Sequence, residues 1–189
     1  MDEKKAFMSR ALGIQVADDS SSQIISKSAI GVPTIAPFAD WDYYYLVEEI
    51  GWEPDETDHS VYQGVTAPRG FVTDLASVPK VLWPIMPPTS KYTHAAIIHD
   101  FHYWTQDISR KEADEIFSIG MKELNVPAWK GIAIYTAVSA FGKSAWENNA
   151  RLKDQGESRF LKKIPRDPTI TWDEWKNIRG VLHKPPTSE

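Results

Sequence analysis

Hydrophobic positions change their rhythm twice along this chain. From Met1 to Gln15 the apolar residues Phe7, Met8, Leu12 and Ile14 follow rough helical spacing, which predicts a short amphipathic helix. A polar linker, ADDSSSQIISKS, follows it, and Ala29 to Ala39 carries Gly31, Pro33 and Pro37, so that stretch should be extended and irregular. Trp41 to Ile50 is rich in aromatic and β-branched residues and predicts a strand; Trp52 to Ser60 is acidic and turn-like; Val61 to Thr66 predicts the returning strand of a hairpin. Phe71 to Thr73 predicts a short third strand after the turn residues Pro68 and Gly70.

Prolines 79, 84, 87 and 88 break any long element between Ser77 and Ser90. From Thr93 the pattern is helical. The next helix opens on a capping box, Ser109 with Glu112, and its apolar positions Ala113, Ile116, Phe117 and Met121 define one buried face. A third helix should run from Pro127 to about Asn148; it is apolar nearly all round between Ile132 and Phe141, which predicts a central core helix. After Ala150 the chain turns polar and basic in patches, with a last capping box at Thr171 and Glu174 and a short helix near residues 172–179. The expectation is an α+β fold: a small antiparallel sheet in the N-terminal half packed on about three helices. Residues 38–149 form the core domain, flanked by an N-terminal arm over 1–37 and a C-terminal arm over 150–189.

Composition narrows the function classes. Hydrophobic residues make up 42% and charged residues 25% of the 189, enough for a sizeable core without metal or disulfide support. There are no cysteines, which excludes disulfides, thiol nucleophiles and cysteine-ligated zinc. The formal net charge of −5 argues against a broad nucleic-acid footprint. The longest apolar stretch, Gly131 to Gly142, is shorter than the about 20 residues that span a bilayer, and the N-terminus lacks the apolar run of a signal peptide. Eight tryptophans suit a protein that buries surface against partners.

Three segments could carry chemistry. In Phe71-Val-Thr-Asp-Leu-Ala-Ser-Val-Pro79, Asp74 stands where a strand hands over to a loop, a common place for a side chain held over a cleft; alternatively Asp74 or Ser77 only caps a turn. In Ala95-Ala-Ile-Ile-His-Asp-Phe-His-Tyr103 an apolar run delivers His99 and Asp100, with His102 and Tyr103 about one turn from His99. In Ser109-Arg-Lys-Glu-Ala-Asp-Glu115, Asp114 borders the buried stripe. Asp74, His99, Asp100 and Asp114 together match what a hard divalent ion takes, several oxygens and an imidazole, with hydrolysis as the chemistry. His94 offers a looser match to a phosphohydrolase ligand pattern. A serine-nucleophile arrangement would use Ser77, His99 and Asp74 or Asp100, but Ser77 lacks the glycine-flanked elbow.

The motifs Gly70-Phe-Val-Thr-Asp-Leu-Ala-Ser-Val-Pro79, Leu82-Trp-Pro-Ile-Met-Pro-Pro88, Ala95-Ala-Ile-Ile-His-Asp100, Ser109-Arg-Lys-Glu-Ala-Asp-Glu-Ile-Phe117 and Phe141-Gly-Lys-Ser-Ala-Trp146 stand in order. Together they resemble the uncharacterised phage and prophage family called domain of unknown function 1353. The resemblance implies a bacteriophage or prophage origin, in the host cytoplasm or the virion, and no defined activity. It places Asp74, Ser77, His99, Asp100 and Asp114 inside family motifs. Three readings follow. The protein is a small hydrolase with Asp74, His99, Asp100 and Ser77 as catalytic candidates and a divalent metal ion on Asp74, His99, Asp100 and Asp114. Or it is a virion or assembly component, held to other phage proteins or to copies of itself through residues 1–37 and 150–189. Or it is a small-ligand or nucleotide binder that counters host defence.

Overall fold

The computed structural model describes residues 28–54, 61–75 and 90–183. The expected N-terminal helix, the polar linker up to residue 27, Ser77 and the proline-rich motif ending at residue 88 lie outside the described residues. Within them the chain is α+β. Six short strands come first: β1 (Ala29–Ile30), β2 (Ile35–Pro37), β3 (Tyr44–Leu46), β4 (Ile50–Trp52), β5 (Val65–Ala67) and β6 (Val72–Thr73). Four helices follow: α1 (Thr93–Thr105), α2 (Arg110–Glu123), α3 (Ala128–Asp154) and α4 (Trp172–Lys176).

The strands form two antiparallel sheets rather than one, in the orders β1-β4-β5 and β2-β3-β6. The single strand expected over Trp41 to Ile50 is divided between them. Tyr44 to Leu46 joins the second sheet, and Ile50 to Trp52 joins the first as the outgoing arm of the hairpin with β5, in the register Ile50 opposite Ala67 and Trp52 opposite Val65. Pro37 sits on the edge strand β2, where its missing N–H costs no ladder bond.

The tail expected as an arm folds back onto the second sheet. The Val72 N–H donates to the Arg159 carbonyl at 2.8 Å, and the Leu161 N–H to that of Gly70 at 2.9 Å. Phe160 bridges to Phe71, and Leu161 bridges to Leu182. Gly70 permits this closeness. Its φ is +83°, and a Cβ there would stand 2.9 Å from the Leu161 carbonyl oxygen. Trp172, on the capped helix α4, is buried against Phe38, Tyr45, Val72 and Leu161.

Both capping boxes are present, Ser109 with Glu112 and Thr171 with Glu174. Helix α1 is the central one. Ile97, Ile98 and Trp104 pack toward Leu46, Trp52 and Phe71, whereas Ala95 and Ala96 pack with Phe117, Met121, Ile134 and Val138. Helix α3 is not the core helix that its apolarity predicts. It buries only Ile134, Val138, Gly142 and Asn149, and Trp129, Ile132 and Phe141 stand 60%, 68% and 68% exposed. One face docks it, with Ile134 and Val138 packed with Phe117 and Met121 of α2, and among the described residues no element covers Trp129, Ile132 and Phe141.

Two glycines of α3 should respond oppositely to alanine. A Cβ on Gly142 would collide with the Tyr103 hydroxyl, whereas one on Gly131 would meet nothing within 4 Å. Urea unfolding should show Gly142→Ala destabilising by about 1–3 kcal/mol and Gly131→Ala stabilising by roughly 0.5–1 kcal/mol.

Candidate functional site

Helix α1 carries three of the polar groups at the site. Neighbouring residues on a helix point about 100° apart, from 3.6 residues per turn. His99 therefore faces α2 while Asp100 faces β6. The His99 ring is fully buried, stacked on Phe117 at 4.7 Å between centroids and against Tyr103 at 4.1 Å. Its Nε2 donates to Asp114 Oδ1 at 2.9 Å. The Tyr103 hydroxyl donates to the same oxygen at 2.7 Å, and Arg110 Nη1, one turn earlier on α2, donates to Oδ2 at 2.9 Å. Burial holds the His99 pKa below its ordinary value despite the pull of Asp114, so the imidazole is neutral at neutral pH. Burial, reinforced by Asp114, pushes the Tyr103 phenol well above its ordinary value, so it remains a donor.

Asp100, also buried, turns the other way. Its Oδ2 accepts from the Thr73 hydroxyl, and that hydroxyl accepts from the Leu75 N–H at 3.1 Å. Leu75 has φ +49°, so one threonine both fixes the left-handed turn around Asp74 and binds the turn to α1. Asp74 is part-exposed, with Oδ2 3.8 Å from Arg159 Nη1. That separation is an ion pair but too long for a direct hydrogen bond.

Arg159 is the least expected member of the group. It is 4% exposed, and its guanidinium lies over the Trp104 ring at 4.9 Å and the Tyr43 ring at 5.5 Å. Its Nε is buried with no hydrogen-bond partner. Tyr43, Asp74, Asp100, Tyr103 and Arg159 form the polar side of a cavity of about 220 Å³. Val138, Phe141, Gly142 and Ala145 of α3 form its apolar side, and Asn149 holds α3 to α1 by donating to the Tyr103 carbonyl at 3.1 Å.

The four residues singled out in the sequence thus divide into two pairs. Asp74 and Asp100 face the cavity. His99 and Asp114 lie behind it as an interior hydrogen-bonded pair, joined to the cavity wall through Tyr103. Ser77 lies outside the described residues. His94 is buried near the first sheet, where Nε2 donates to the Ile30 carbonyl at 3.2 Å. His102 pairs through Nδ1 with Asp107 at 3.1 Å, away from the cavity lining. Among the described residues no three His, Asp or Glu side chains stand together as a metal-ligand set. Asp114 meets three donors, one of them cationic, and His99 Nε2 carries the proton it gives to Asp114. The residues described here therefore do not fit the divalent ion that the sequence pattern evokes.

Residues 48–138 match the model of the family described as "Protein of unknown function (DUF1353)". This agrees with the resemblance read from the motifs, of which all but Phe141 to Trp146 fall inside the matched stretch. The chain is also 35% identical over 77 residues to "Uncharacterized protein y4jT" of Sinorhizobium fredii (strain NBRC 101917 / NGR234). Those residues are 40% of this chain and 23% of that protein, so the chain spans about a quarter of the length of this relative. No solved structure matches.

Removing Asp114 leaves the Tyr103 hydroxyl, the His99 N–H and the Arg110 cation without their shared acceptor. Asp114→Ala should lower unfolding free energy in urea by about 3–5 kcal/mol; a loss below about 1 kcal/mol would show that the network does not hold the helices. The pH dependence has a defined sign. Burial depresses the pKa of both His99 and His94, so the unfolded chain binds protons there at higher pH than the folded chain. Their contribution to stability is complete above about pH 6.5, the ordinary histidine value, and declines as pH falls below it. Unfolding free energy should therefore drop between about pH 7 and pH 5.5, with a shallower slope in His99→Asn; an unchanged slope would exclude His99 as a source.

Proposed function

We propose that this protein binds a small polar ligand in the cleft between β6, α1, α3 and the tail. The observation that carries the reading is Arg159. A guanidinium removed from water, with one N–H unsatisfied and a carboxylate only at 3.8 Å, has unused binding capacity. Beside it the Asp74 and Asp100 carboxylates accept hydrogen bonds. The complementary ligand carries an acidic or carbonyl group for Arg159 and hydroxyl or amine donors for the two acids. The apolar wall from α3 would take its hydrocarbon part. About 220 Å³ is below the about 300–1,000 Å³ of drug-sized sites, which favours a ligand of metabolite size.

Hydrolysis is the second reading. Two carboxylates on one cavity, one of them part-exposed, support acid–base chemistry in which Asp74 takes a proton from water. Both readings suit the phage or prophage setting that the family resemblance implies. A role in virion assembly draws its support from the exposed apolar residues of α3.

A thermal-shift screen of the full chain against nucleotides, amino acids, sugar phosphates and dicarboxylates, each with and without magnesium, manganese or zinc, tests the proposal. At 100 times its dissociation constant a true ligand adds about 2.7 kcal/mol. The shift should vanish in Arg159→Met and shrink in Asp74→Asn, and should need no metal. A hit that survives both substitutions, or no hit in the panel, counts against the cleft as the site. Turnover of the hit seen by NMR, abolished in Asp74→Asn while binding persists, would select the hydrolase reading.

A further inference from the structure

A second concavity, of about 990 Å³, shares no lining residue with the cleft. Arg69 borders it from the turn before β6, and Lys162, Lys163 and Arg166 border it from the tail. All four are exposed, and none has a carboxylate within salt-bridge distance among the described residues. Asp167, the acid on this wall, is already engaged by the Thr169 N–H at 2.9 Å and the Thr169 hydroxyl at 2.7 Å.

The cations are set on hydrogen-bonded backbone. The Lys162 and Lys163 N–H groups both donate to the Val181 carbonyl, at 2.8 and 3.1 Å, and the Leu161 N–H donates to that of Gly70 at 2.9 Å. The close fit of Gly70 against Leu161 brings Arg69 to the tail cations. The buried Trp175 indole N–H at the groove also lacks an acceptor. The groove is a field of donors with four like charges, on a protein whose net charge is −5. Four cations around a hollow of about 990 Å³ suit an extended anion with repeated charges better than a single small one.

We propose that this groove binds the phosphodiester backbone of a nucleic acid without reading its bases. No Asn, Gln, Ser or Thr lines it, so the hydrogen-bonding side chains that commonly read base edges, apart from the cations, are missing. Leu161, Ile164 and Trp175 form its apolar floor, and the four cations at its border are the groups that a chain of phosphates would meet. The net charge limits the footprint to this groove.

Fluorescence anisotropy of the full chain with a labelled single-stranded DNA of mixed sequence tests this. Three or four neutralised phosphates give a slope of about −2 to −3 in log affinity against log salt. Raising salt from about 50 to 200 mM should then weaken binding roughly 15- to 60-fold. An oligonucleotide of unrelated sequence should bind equally. The double variant Lys162→Glu with Lys163→Glu should bind at least about tenfold more weakly, while Lys111→Glu, on the exposed face of α2, binds as the native chain does. An unchanged melting temperature of the double variant shows that its fold is intact. No binding at the lowest salt, or equal binding by the double variant and the native chain, overturns the proposal. So does poly-glutamate that binds the groove while DNA does not, which would assign it to an acidic protein.

Discussion

One buried carboxylate sets the geometry of the helical half. Asp114 is 3% exposed, and a charge so placed is tolerated only when donors meet it. Three do, and two of them, His99 and Tyr103, come from the neighbouring helix. The angle and register between α1 and α2 are thereby tied to a hydrogen-bond pattern, which has one solution, in addition to apolar contacts, which have many. The Tyr103 hydroxyl in turn fits only against a residue without a side chain, and that requirement fixes where α3 lies, at Gly142. The same tyrosine is part of the cavity wall. A demand for charge satisfaction in the interior therefore shapes the surface on which a ligand would sit.

The β half meets that frame through Thr73. A single hydroxyl donates to Asp100 on α1 and accepts from the Leu75 N–H in the turn, so it joins the strand end, the turn bearing Asp74 and the helix. Opposite it the tail adds an extended segment to β6 and supplies Arg159. The cleft is thus built from five separate stretches of chain, those of Tyr43, Asp74, α1, α3 and the tail, and its charge arrangement is fixed by backbone pairing as well as by side-chain contacts.

Much of this was legible in the sequence where local rules act. The capping boxes at Ser109 and Thr171 gave both helix starts, and the position of Asp114 beside Ala113 and Ile116 gave its burial. The adjacency of His99 and Asp100 marked the turn of α1 that carries Asp100 to the cavity wall. Helix geometry turns the two about 100° apart, but it did not say that one meets α2 and the other β6, because that depends on which elements flank α1. Arg159 carried no local signal: it sits among polar and basic residues in a stretch read as an arm, and only tertiary pairing with Val72 buries it. Helix α3 misled for a related reason. Its apolar circumference looks like a core helix to periodicity, yet among the described residues only the face bearing Ile134 and Val138 finds elements to pack against. The division of Trp41 to Ile50 between two sheets likewise followed from long-range pairing, not from propensity.

Chain order gives the docked tail a further meaning. Asp74 and Asp100 leave the ribosome well before Arg159, which lies beyond the end of α3. A nascent chain that has emerged only as far as α3 presents both carboxylates to the hollow without the Arg159 guanidinium that later joins them there. The attraction between that hollow and the incoming guanidinium, added to the strand pairing of Val72 with Arg159, then draws the tail into place. The tail thereby turns a hollow lined by two carboxylates into one that also holds a guanidinium, and the cleft takes its final charge arrangement only once that late pairing has formed.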